Sequence, residues 1–380
     1  MLRAVSIVLA LSGCGFERGV ATDGGVTGDG SGSAVIDGTR PAGPGVRMID
    51  LDDARITGAP HMSFPLLVSL SAPWLRSVGN GGSVARADGF DIYFSSDQAG
   101  TAKLAHEVEL YAADTGVLIA WVRIPMLMPQ TVLYLHYGDP ALTTDPQQVA
   151  AVWSTGYEAV FHMDAIADAA GKNLALAAVT SGSAPGRIDI ACGFDGVDDY
   201  VDIGSATAID DVFAAGGTAE AWFYAETFGE TGYGRIFDKG HEFGWSIFVN
   251  NAERAESLGF LHGSGTQSWG FWNTVANTMT LNAWHHVAVV YNQASAANVP
   301  LFYVDGAPVT VVTLDPPPAS MMSDAARSLR AGNRVAGDRT FDGLLDELRL
   351  SSTVRSADWI ATEVRNQVDP GGFAPVGPEL

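Results

Sequence analysis

The stretch Thr218-Ala219-Glu220-Ala221-Trp222-Phe223-Tyr224-Ala225 is a short, β-rich run with partial alternation of apolar and polar residues. Similar runs lie on both sides of it: YEAVFHM (157–163), YVDIG (200–204), GWSIFVN (244–250), ESLGFLH (256–262), AWHHVAVVYN (283–292), PLFYVDG (300–306) and LLDELRL (344–350). The spacing predicts strands throughout, with no long amphipathic helix among them. One exception is SADWIATEVRNQ (356–367), where Ser356 caps an apolar stripe through Trp359, Ile360 and Val364, and a short terminal helix is expected. About two hundred residues of antiparallel strands suit a two-sheet jelly roll.

Upstream, FPLLVSL (64–70), FDIYFSS (90–96), HEVELYA (106–112), LIAWVRIP (118–125) and TVLYLHYG (131–138) form a second set of short strands. They predict a separate β-sandwich over residues 46–148, with a junction at Pro140 and TTDPQQ. The fold class is therefore all-β: two tandem β-sandwich domains, the second spanning 153–367 and followed by a C-terminal tail over 368–380.

The chain opens MLRAVSIVLALSGC. Arg3 supplies a positive end, Ala4 to Leu11 an apolar run too short to span a bilayer, and Leu11-Ser12-Gly13-Cys14 a small-residue cut site. Residues 1–13 are similar to a bacterial lipoprotein signal, which implies lipidation of Cys14 and attachment to a membrane surface. Residues 14–45 are dominated by Gly, Ser, Asp and Pro and read as a flexible tether. Gly15 carries no inner-membrane retention signal of the enteric kind, so the outer membrane or cell surface is the expected location.

Hydrophobic residues make up 47% of 380, which is ample for two cores, and the formal net charge is −22. That charge excludes a nucleic-acid partner, which would need a basic footprint. It supplies carboxylates suited to calcium. Only Cys14 and Cys192 exist; lipidation of the first would leave no disulfide, and Cys192 is expected to be a buried, unreactive thiol.

Five segments of the C-terminal block occur in a characteristic order: Phe194-Asp195-Gly196-Val197-Asp198-Asp199-Tyr200-Val201, Thr218 to Phe223, Trp284-His285-His286-Val287-Ala288, Tyr303-Val304-Asp305-Gly306, and Phe341 to Leu350. Together they resemble the laminin-G-like, concanavalin-A-like jelly-roll family of exported bacterial proteins. The first block, through Phe90 to Phe94, His106 to Glu109, Trp121-Val122 and Tyr134 to Gly138, resembles an uncharacterised β-domain found beside such jelly rolls. That second resemblance implies no activity. The first implies a calcium ion at the sheet edge, with Asp164 and Asp346 in matching positions and Asp195 as a further metal candidate. Against this, Asp195 and Asp342 equally suit Asp-Gly turns, and Asp346 a strand end.

Trp269 and Trp272 stand in HGSGTQSWGFWNTV (262–275) with Gln267 and Asn273 nearby. Exposed indoles stack sugar rings and amides read hydroxyls, which makes these four the candidate ligand-binding set; the competing reading packs the tryptophans on the sandwich. Trp222 and Trp284 belong to the core. Glu107 and Glu109 share one face of a strand, which suits either acid/base work or a solvated surface, and the latter is preferred. One of His285 and His286 is expected to point inward, and neither has zinc spacing. There is no G-x-S-x-G, H-E-x-x-H or P-loop pattern, and no Glu/Asp row of the kind glycosidases on this fold carry.

The sequence thus points to a surface-anchored lipoprotein acting as a non-catalytic binding or adhesion module, whose partner is a carbohydrate or an extracellular or envelope protein. The alternatives are a glycoside hydrolase or lyase on the same fold, and a structural component of an envelope complex.

Overall fold

The computed structural model describes residues 43–153, 156–164, 167–174, 178–240, 242–265, 268–318 and 322–380. Cys14, the signal segment, most of the tether and Gln267 lie outside the described residues. Among the described residues, no helix is long and apolar enough to cross a membrane.

The N-terminal sandwich packs two antiparallel sheets. One joins His61–Ser71, Val117–Leu127 and His106–Ala112; the other runs in the order Val376–Glu379, Gly45–Asp50, Val132–Tyr137, Tyr93–Ser95. Its outermost strand comes from the opposite end of the chain. Arg47 pairs with Glu379 and Ile49 with Val376, so residues 376–379 complete the first sheet. Within the C-terminal tail expected over 368–380, residues 376–379 cover a sheet edge, which would otherwise present unpaired backbone groups.

In the C-terminal sandwich one sheet runs Ala307–Val309, Leu301–Val304, Trp284–Tyr291, Gly217–Ala225, Asp342–Ser351, Ile190–Asp195, Gly182–Pro185, with Tyr157–Phe161 also pairing on Asp342–Ser351. The facing sheet runs Val311–Asp315, Trp269–Thr274, Ser257–Gly263, Trp245–Asn250, Arg235–Asp238, Leu329–Ala331, Val201–Gly204, Ala178–Val179. Alternation explains the core between them. Ala219, Ala221 and Phe223 point inward from Gly217–Ala225, and Val287, Val289 and Tyr291 from Trp284–Tyr291. Cys192 is buried as expected, but it is not a free thiol.

The outward faces of those same strands are not solvated. Trp222, Ala288, Val290 and Tyr303 join the core of the first sandwich, together with Trp359, Ile360 and Val364 of the helix Ala357–Val368. A second apolar cluster crosses the junction, with Leu67, Ile119 and Trp121 from the first sandwich against Trp153, Tyr157, Val160 and Ile188 from the second. Ser356 caps the helix by accepting from the Trp359 amide, as the sequence predicts. The helix is also a mortar between the sandwiches: Asn366 accepts from the Leu67 amide at 2.7 Å and donates to the Leu67 carbonyl at 2.9 Å. Two sheets that each hide both faces need a partner layer on each side, and the two sandwiches supply it for one another.

Candidate functional site

A charged layer is sealed between the sandwiches. It originates in a β-bulge. Glu220 pairs with Arg349 and Trp222 with Asp346, so the strand Asp342–Ser351 carries one extra residue, and Glu347 takes φ 52° there. With Leu345 and Leu348 both in the inner core, the bulge sends Asp346, Glu347 and Arg349 toward the first sandwich. Glu107 and Glu109 meet them from the strand His106–Ala112, and His162 and Asp164 from the end of Tyr157–Phe161.

Every group here has a defined neighbour. His162 Nδ1 lies 2.7 Å from Glu347 Oε1 and its Nε2 3.3 Å from Glu107 Oε2. Trp153 Nε1 donates to Glu107 Oε2 at 2.8 Å, and Trp121 Nε1 to Glu109 Oε2 at 2.7 Å. Arg349 donates to Glu347 at 2.6 Å and to Glu363 of the helix, with its guanidinium over the Trp121 and Trp153 rings at 4.5 and 4.9 Å. The preferred reading of Glu107 and Glu109 as a solvated strand face is therefore overturned: their side chains are 12% and 1% exposed. Sequence alternation placed both on one face; only the contact with the second sandwich shows that this face is covered.

Burial and mutual repulsion govern the protons. Burial pulls His162 down, but Glu347, Glu107 and Glu109 outweigh it and hold the imidazole well above its ordinary value, so it is a cation at neutral pH. Burial raises Glu107 and Glu347, yet His162 overcomes it and leaves both below the usual carboxylate range. Burial pushes Glu109 up to about 8, with Glu347 and Asp164 adding to the rise. Burial and then Glu347 raise Asp346 well above its ordinary value.

Two of the three metal candidates, Asp164 and Asp346, lie in this layer, and the third does not. Ligand oxygens of Glu109, Asp164 and Asp189 lie within 4.8 Å of one another. Asp346 Oδ2 accepts from the Ile188 amide at 2.9 Å, while Asp346 Oδ1 and Glu109 Oε1 are buried with no hydrogen-bond partner among the described residues. Orphaned carboxylate oxygens among further carboxylates fit a hard cation with oxygen ligands, such as calcium. Asp195 pairs across from Asp342, about 13 Å along the strand from Asp346, in an exposed group with Asp198 and Asp199. Its Oδ1 accepts from the Val197 amide at 2.9 Å, and Asp199 Oδ2 accepts from the Asp195 amide at 3.0 Å, so these carboxylates shape the turn.

The expected sugar-binding set does not form a surface. Trp272 is 0% exposed, stacked on Phe260 at 5.9 Å in the inner core, and Asn273 is 0% exposed, bonded to Asn250 and Ser257. Both are corrected to core positions, because the strand Trp269–Thr274 turns Trp272 inward. Trp269 remains half-buried.

An open cleft of about 540 Å³ lies elsewhere on the same sheet, walled by Glu242, Phe243, Arg327, Ser328 and Val335, with Asp238 at its base. That volume is in the range of small-molecule sites. The Arg327 guanidinium sits 4.0 Å over the Phe243 ring and makes no hydrogen bond or ion pair among the described residues. Its backbone is fixed from beneath: buried Lys239 donates to the Arg327 carbonyl at 2.9 Å and to Asp210 at 2.7 Å. Asp211 and Asp324 exchange reciprocal bonds at 2.8 and 2.9 Å. Arg334, in contrast, is held bidentately by Asp338. Of the cleft's acids, Asp238 has both oxygens engaged, by Arg235 at 3.2 Å and the Gly240 amide at 2.9 Å. No residue type at these positions announces the cleft in the sequence, since it is assembled from loops some 85 residues apart.

An all-β chain with a two-sheet jelly roll and a pre-formed cleft on one sheet defines the class. Residues 195–361 match the family model described as the concanavalin A-like lectin/glucanases superfamily, and the C-terminal sandwich is such a domain. Among solved structures, the chain is similar to the binding domain of Paraclostridial Mosquitocidal Protein 1 (TM-score 0.45, 14% identity, 57% of this chain and 52% of that one). It is also similar to domain 4 of AbnA, a GH43 extracellular arabinanase from Geobacillus stearothermophilus, in complex with arabinotriose (TM-score 0.42, 15% identity, 56% and 99%). A third likeness is to the receptor-binding domain of botulinum neurotoxin mosaic serotype C/D (TM-score 0.42, 10% identity, 58% and 52%). The chain spans about half the length of the two toxin structures. No curated protein matches it.

Proposed function

We propose that this protein is a non-catalytic binding module whose C-terminal cleft takes a carbohydrate bearing a carboxylate, free or on a glycoprotein. The observation that carries the reading is Arg327: a guanidinium with open donors, braced on Phe243 and fixed through its backbone, at the wall of a ligand-sized cleft. A planar guanidinium matches a carboxylate bidentately. A hydrolytic pair is disfavoured, because Asp238 has no free oxygen to act as acid or base. Calcium held by the acid layer that includes Asp164 and Asp346 organises the module. Lipid on Cys14 ties it to the outer membrane or cell surface.

Calorimetric titration with uronate- or sialate-containing oligosaccharides tests the cleft. Arg327→Ala is expected to weaken acidic ligands at least tenfold and neutral ones little; equal affinity for both would overturn the assignment. The anchor has a separate test. The anchored chain is expected to incorporate radiolabelled palmitate, and Cys14→Ala to lose it. No incorporated palmitate would count against it.

A further inference from the structure

The acid layer belongs to neither sandwich alone, and this changes what a bound cation would do. Glu109 stands on the strand His106–Ala112 of the first sandwich, whereas Asp164 and Asp189 belong to the second. Their ligand oxygens all lie within 4.8 Å of one another, the greatest separation that two ligands of one calcium shell can have at Ca–O distances of about 2.4 Å. Glu109 Oε2 is already used by Trp121 Nε1, which leaves Oε1, fully buried and without a donor, for another partner. Beside it Asp346 Oδ1 is equally bare. The nearby imidazole is not a competing ligand, because both nitrogens of His162 are committed to Glu347 and Glu107. The remaining donors are all oxygen, which selects a hard cation over zinc. Asp189 also lines a cleft of about 180 Å³ between the sandwiches, walled by Leu67, Ser69 and Ile119 on one side and Arg187 and Ile188 on the other, which gives an ion a way in.

We propose that one calcium ion bridges the two sandwiches, with Glu109 from the first and Asp164 and Asp189 from the second as ligands, so that the ion clamps the domain junction. The inference rests on the calcium reading above and adds to it the contribution of the first sandwich. The clamp makes the relative placement of the two domains responsive to calcium.

The test uses terbium and calcium on the purified chain after dialysis against chelator. Terbium bound at Glu109 lies beside Trp121, so excitation of tryptophan should give sensitised green emission that calcium displaces. Glu109→Gln should weaken calcium at least tenfold and abolish the emission, while the calcium-free variant unfolds no lower than calcium-free wild type, because the amide keeps the volume and an oxygen to accept from Trp121 Nε1. Calcium at a hundredfold excess over Kd should raise the wild-type midpoint by about 5 °C and leave Glu109→Gln unmoved. If Asp164→Asn loses calcium but Glu109→Gln keeps wild-type affinity, the ion sits within the second sandwich and the clamp fails while the calcium reading stands. If wild type binds neither ion, both fail.

Discussion

Replacing Arg349 with methionine removes a side chain that touches both sandwiches and the helix between them. Its guanidinium is 2% exposed, bonded to Glu347 at 2.6 Å and to Glu363, and lies over Trp121 and Trp153. Methionine keeps the volume and part of the contact with the indoles, so the loss is mainly electrostatic. Glu363 would lose its cation and Glu347 one of its two, His162 remaining, and breaking a buried pair from one side costs about 3–5 kcal/mol. Taking about 4 kcal/mol, and about 2 °C per kcal/mol for a unit of this size, the midpoint falls by about 8 °C. Differential scanning calorimetry in chelator reads it. Because Arg349 joins all three elements, the single unfolding transition should shift whole. Arg349→Met with Glu363→Gln should recover about 1–2 kcal/mol, since one of the orphaned charges is gone. A drop of less than 2 °C, or a variant in which one of two resolved transitions moves alone, would refute the view of the junction as a shared core.

Three further outcomes are expected. His262 is buried beside Tyr291, and burial lowers it to about 4, against about 6.5 when unfolded. The unfolded chain therefore takes the proton first, and stability is lost as pH falls from about 6.5 toward 4, by up to about 3 kcal/mol; His262→Gln should flatten urea midpoints across that window. Gly343→Ala should cost about 3 kcal/mol or more, because φ is 134° there and a Cβ would lie 1.9 Å from the Tyr224 carbonyl oxygen; urea unfolding reads the loss. Truncation after Ala374 strips the strand Val376–Glu379 from Gly45–Asp50, and should lower the midpoint of the whole molecule and raise aggregation by light scattering.

The strands were legible because their alternation survives burial: Thr218 to Ala225 and Trp284 to Tyr291 put apolar residues inward on schedule. The helix was legible through Ser356 and its stripe. The metal candidates Asp164 and Asp346 came from position in the family pattern, and they do fall in one layer. What escaped was everything that depends on the two sandwiches meeting. Glu107, Glu109 and Arg349 have the polarity of solvent-facing residues, and nothing local says that another domain covers them. The bulge at Glu347 likewise shows no glycine or proline to betray it. Trp272 failed for the opposite reason: the glycine- and serine-rich context of a loop hides a strand whose third apolar position turns into the core. The cleft at Phe243 and Arg327 needs loops distant in sequence, so periodicity could not find it.

Holding an acidic sugar without altering it is most directly tested on a glycan array probed with wild type and with Phe243→Ala/Arg327→Ala, followed by analysis of each bound saccharide for new reducing ends. The expected result is retention of carboxylate-bearing glycans by wild type, loss of that signal in the double variant, and every saccharide recovered intact. Undiminished capture by the variant, or cleaved saccharide in the wild-type eluate, would contradict the account.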